Sequence, residues 1–146
     1  MSEAFSAEET IDRPASEVWR ALTDWSRTPE WMNGVEWMHA DGDVAAGTRL
    51  TFRARGKDRP AEIVAAVPGS RMVLRSVQGG VTADYDYWVR PIDADTTSVR
   101  LVAECRTETL PWRLVAPLLR AAVRRTDGSQ IASFRAMVEH DGARPD

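Results

Sequence analysis

Between residues 35 and 106 the chain repeats one pattern six times: a short run alternating apolar and polar residues, closed by a turn signal. The runs are VEWMHA, GTRLTFRA, AEIVAAV, RMVLRSV, VTADYDYWV and TSVRLVAEC. The signals between them are DGD, GKDRP, PGS, QGG and PIDADT. A period of two places alternate side chains on opposite faces of a strand. Connections this short join neighbours antiparallel, so the pattern predicts a meander with one apolar and one polar face. Leu50, Phe52, Ala54, Ala61, Ile63, Ala65, Val67, Met72, Leu74, Tyr85, Tyr87, Val89, Val99, Leu101, Ala103 and Cys105 fall on the apolar side. The strand arginines, Asp84 and Asp86 fall on the other.

An apolar sheet face needs a cover. The segment from about residue 110 to 140 supplies one, with Val115, Leu118, Leu119, Ala122, Val123, Ile131, Phe134 and Val138 at helical spacing. Pro117 and the Asp127-Gly128 pair interrupt that stripe. Residues 141–146 read as a frayed tail. Upstream, residues 5–11 alternate as a strand ended by Pro14. Ser16 reads as an N-cap, and Val18, Leu22 and Trp25 form one stripe of a first helix. A second, very short helix starts at about Pro29, carries Trp31 and Met32, and breaks at Asn33-Gly34. The length of 146 residues fits a single α+β domain.

Composition narrows the function. The formal net charge is -3 and the basic residues are dispersed, so no nucleic-acid partner is expected. No segment reaches the ~18 apolar residues of a membrane span and no signal peptide is evident. A cytoplasmic location and no stable membrane insertion are therefore expected. Cys105 is the single cysteine and reads as a small buried hydrophobe. His39 and His140 lie apart in no ligating pattern, so no metal or cofactor is expected. No G-x-S-x-G is present.

The segments IDRPASEVWRALTDWSRTPEW, GTRLTFR, VPGSRMVLRS, YDYWVRPIDADTTSVRL and FRAMVE resemble the START-like or SRPBCC superfamily, in its polyketide cyclase/dehydrase and lipid transport branch. The resemblance runs over nearly the whole chain. It implies a helix-grip fold: strand, two short helices, six strands and a long C-terminal helix, with a hydrophobic cavity between sheet and helix. A solid core would give the same residue pattern.

If the cavity exists, parity gives its lining an apolar character with few polar members: Ser76, Tyr85, Tyr87 and Cys105. The expected ligand contacts are Trp31, Met32, Trp37, Phe52, Met72 and Leu74, with Tyr85, Tyr87, Leu101, Val115, Leu118 and Phe134. Trp25, Trp31 and Trp37 are candidates for the mouth, and plain core packing accounts for them as well. Glu9 shares parity with Phe5, Ala7 and Ile11, which makes it the one carboxylate that parity could turn inward, although a solvated edge or strand start is the usual place for such a residue. The leading expectation is binding of a lipid, polyketide, quinone or terpenoid. The alternatives are an aromatase/cyclase or dehydratase using Glu9, Tyr85 or Tyr87, and an interaction module without a ligand. Nothing in the sequence fixes an oligomeric state.

Overall fold

In a computed structural model of the chain, residues 2–78, 80–107 and 129–143 are described. Seven strands form one antiparallel sheet: β1 (Ser2–Ile11), β2 (Val35–Ala40), β3 (Arg49–Ala54), β4 (Lys57–Val67), β5 (Arg71–Gln78), β6 (Val81–Asp93) and β7 (Thr96–Thr107). Their spatial order is β1-β7-β6-β5-β4-β3-β2. The six-strand meander is therefore as the turn spacing predicts, and β1 returns to pair with β7. Helix α1 (Ala15–Leu22) and a 3-10 helix (Trp25–Glu30) separate β1 from β2. Helix α2 (Gln130–Ala143) follows the sheet. Among the described residues no helix is long and apolar enough to cross a membrane.

The curved sheet and α2 share one core. Ile131, Phe134, Met137 and Val138 on α2 are buried together with Met72, Tyr87, Leu101 and Cys105 from the strands and Val18 and Leu22 from α1. That spacing of i, i+3, i+6 and i+7 is the buried stripe of a helix lying on a sheet. Polar groups fasten the far end of α2 to β1. Arg135 Nη1 donates to Glu9 Oε2 at 3.2 Å, and the Asp12 N–H donates to Glu139 Oε2 at 3.1 Å.

Several local expectations change. The cap of α1 is Pro14 rather than Ser16, and Trp25 lies beyond the helix. The second helix begins four residues earlier than Pro29, because the Asp24 carboxylate accepts from the Ser26 N–H at 3.2 Å and starts it there. Trp31 and Met32 follow this helix instead of riding on it. The last helix runs to Ala143, into the expected tail, while its predicted beginning lies outside the described residues.

Two changes alter which side chains face the core. A register shift between Ile63 and Ala65 reverses parity along β4, so Ala66 rather than Ala65 pairs with the core residue Met72. Val67 is then exposed. The GKDRP turn shrinks to Arg55-Gly56, since Ala54 pairs directly with Lys57. Both turn residues have positive φ, 54° and 73°, as a two-residue type I′ hairpin requires. Pro60 is accommodated within β4 because pairing with β5 starts only at Ala61.

Candidate functional site: a cavity between sheet and helices

A cavity of about 570 Å³ opens against the inner face of β3–β6. Small-molecule sites occupy the same size range. Each wall follows from strand parity. Register places Met38 opposite Phe52 and Phe52 opposite Arg59, so the three share a face. Ala61, Ser76, Leu74 and Tyr85 continue that face across β4, β5 and β6. Met32, Asn33, Gly34 and Val35 form the side that follows the 3-10 helix. Ala54 and Arg55 contribute at the β3–β4 turn.

At the end nearest α2 the wall is polar. The Tyr87 hydroxyl donates to Gln130 Oε1, and both residues line the cavity although both are buried. Tyr87 is backed by Trp31, whose ring lies 6.0 Å away, edge-on at 87°. Trp31 in turn meets Phe134 at 4.9 Å and 64°. Trp31 is 2% exposed, and its indole N–H has no hydrogen-bond partner among the described residues.

Electrostatically the lining is one-sided. It includes Arg55, Arg59 and Arg75, and no aspartate, glutamate or histidine among the described residues. The Arg75 side chain belongs to the opposite face, where its guanidinium forms a two-pronged pair with Asp84 at 2.8 and 2.9 Å. That hydrogen bond holds the Arg75 pKa above the ordinary guanidinium value, partly opposed by desolvation. Arg71 pairs likewise with Asp86 at 3.0 and 2.8 Å and stacks 4.3 Å over Trp88. Asp84 and Asp86 are thus engaged outside the cavity. Arg59 Nε donates to the Ala54 carbonyl at 3.3 Å.

Of the residues predicted at the site, Met32, Phe52, Leu74, Tyr85 and Tyr87 come together around the cavity. Met72, Leu101, Trp31 and Phe134 lie behind it in the packed core. Trp37 is 38% exposed and pairs with Arg53, because the bulge at Val35/Trp37 turns Met38 inward instead. Trp25 packs against the core and does not line the cavity, so no tryptophan frames it among the described residues. Glu9 does face α2, but it meets Arg135 there and is not at the cavity. Val115 and Leu118 lie outside the described residues.

Sequence reasoning missed Gln130, Arg55 and Arg59. Alternation from Ala61 back through Arg59 would have found the last, had the turn been read as two residues long.

Known structures share this architecture. The di-domain aromatase/cyclase BexL from the BE-7585A biosynthetic pathway is 22% identical, with a TM-score of 0.77, over 99% of this chain. The chain spans only 48% of that protein's length. The Zhui aromatase/cyclase from Streptomyces sp. R1128 is 14% identical with a TM-score of 0.76, covering 94% of both chains. Norcoclaurine synthase from Thalictrum flavum is 15% identical with a TM-score of 0.69, covering 98% of this chain and 99% of that one. At these identities the likeness is one of fold. No curated protein matches the chain significantly. The family profile described as polyketide cyclase/dehydrase and lipid transport matches residues 2–139, nearly the full length. The chain belongs to the polyketide cyclase/dehydrase and lipid transport family.

Proposed function

We propose that this protein binds an apolar or aromatic small molecule of the lipid, polyketide, quinone or terpenoid class in the cavity between its sheet and α2. The observation that carries this reading is the space itself. A volume of about 570 Å³ stays open beside a core that is otherwise closely packed. Phe52, Leu74, Met32 and Met38 offer apolar contact, and Tyr85, Ser76 and the Tyr87–Gln130 pair offer a few oriented polar groups. A mostly apolar wall with sparse, fixed polar groups is how small-molecule sites combine affinity with orientation.

Aromatase/cyclases and norcoclaurine synthase share the fold, which keeps cyclisation chemistry as the second reading. Binding is preferred because the described lining holds no carboxylate or imidazole to move a proton near neutral pH. The carboxylates of Glu9, Asp84 and Asp86 are each held by an arginine away from it.

The test is fluorescence titration with N-phenyl-1-naphthylamine, a neutral apolar dye, together with native mass spectrometry of the purified protein. Saturable one-to-one dye binding supports the reading. A protein that neither takes up the dye nor carries a co-purified apolar molecule contradicts it.

A further inference from the structure

The inner end of the cavity holds a hydrogen-bond donor without an acceptor. Gln130, the first residue of α2, lines the cavity and is 4% exposed. Its Oε1 receives the Tyr87 hydroxyl hydrogen, which is the one side-chain hydrogen bond of Gln130 among the described residues. The other arm of a carboxamide carries two N–H donors. Gln130 Nε2 is therefore left unpaired on a side chain that is almost fully buried. Buried polar groups nearly always meet a partner, in the protein, in water or in a ligand. The adjoining aromatic cluster repeats the feature: the indole N–H of Trp31, the ring edge-on to Tyr87, is also buried and unpartnered among the described residues.

Unpaired donors select an acceptor. A ketone or quinone oxygen accepts and brings no hydrogen of its own to be buried. A hydroxyl would bring one, and Gln130 Oε1 already receives the Tyr87 hydrogen. A carboxylate would lose its hydration to a neutral amide, at high cost. Register sets the rest of the pose. Tyr85 lies two residues from Tyr87 on the same face of β6 and pairs with Leu74 on β5. Phe52 lines the cavity from β3. An apolar body with its oxygen at Gln130 lies across Tyr85 and Leu74 towards Phe52.

Resting on the reading of the cavity as a ligand site, we infer that its ligand is a neutral ketone or quinone whose carbonyl oxygen accepts from Gln130 Nε2 at the inner end of the cavity. Gln130 then distinguishes a carbonyl from a bare hydrocarbon edge, and Tyr87 positions its carboxamide.

The experiment displaces bound N-phenyl-1-naphthylamine with benzophenone, diphenylmethane or diphenylamine, which share their phenyl rings and differ in the bridge: a carbonyl, a methylene or an N–H. The readout is the ratio of displacing concentrations on one protein, in which any change of dye affinity cancels. Gln130→Leu should shift the ratio of benzophenone to diphenylmethane about fivefold against the ketone, as the loss of one net hydrogen bond implies. Gln130→Met, unbranched and without donors, should give the same shift. The ratio of diphenylamine to diphenylmethane should not move that way. Isotope-edited infrared spectroscopy of benzophenone on the unsubstituted protein needs no variant, and its carbonyl band should lie below its position in hexane. Several results overturn the carbonyl while leaving the ligand site intact: a bound dye that benzophenone does not displace, a ratio unchanged in both variants, a shift seen with diphenylamine instead, or a carbonyl band at its hexane position. Failure of the dye to bind at all overturns the ligand site, and the carbonyl with it.

Discussion

The Tyr87 hydroxyl on β6 donates to the Gln130 side-chain oxygen at the first residue of α2, joining sheet to helix at the cavity's inner end. Both side chains are at most 4% exposed. Tyr87→Phe removes the donor and leaves a buried acceptor without it. The expected cost is ~1–3 kcal/mol, read as a lower thermal midpoint. Tyr87→Phe with Gln130→Leu removes both partners and should recover part of that loss.

Filling the cavity should separate binding from stability. Ala61 lines the wall at the middle of β4 and is half-buried. Ala61→Trp puts an indole into existing space, so the thermal midpoint should move little. Dye affinity should fall by about tenfold or more, since an indole is comparable in size to the dye's ring system. Titration and melting on the same sample check both halves.

Relieving the hairpin should stabilise the fold. Arg55→Asn keeps the two-residue turn and eases a left-handed conformation that costs roughly 1–2 kcal/mol in an ordinary residue. A gain of about 1 kcal/mol is expected in denaturant unfolding, with an unchanged slope. Arg55→Val, β-branched at the same φ, should move stability the other way.

The outer-face pairs Arg71–Asp86 and Arg75–Asp84 should respond to salt and not to mild alkali. Both guanidinium pKa values are raised, chiefly by the side-chain hydrogen bond to the partner aspartate. A cation with a raised folded-state pKa contributes fully below its ordinary pKa and loses that contribution only as pH climbs through the higher value. The guanidinium contribution is therefore constant from about pH 6 to about pH 9. Because the arginines are partly exposed, a double-mutant cycle on Arg75 and Asp84 should give ~0.5–1 kcal/mol, falling in molar salt.

By itself the sequence determined the consecutive order of the six meander strands and most of their covered face. Alternation and turn residues are local, and Leu74, Tyr85 and Tyr87 stand where parity puts them. Tertiary structure decided the composition of the cavity. A register shift between Val35 and Trp37 turns Met38 inward in place of Trp37, and a turn two residues long carries Arg59 inward. Gln130 reached Tyr87 only through the docking of α2 on the sheet. The void is likewise a tertiary property, because it depends on how far the covering elements stand from the strands, a distance that no residue pattern encodes.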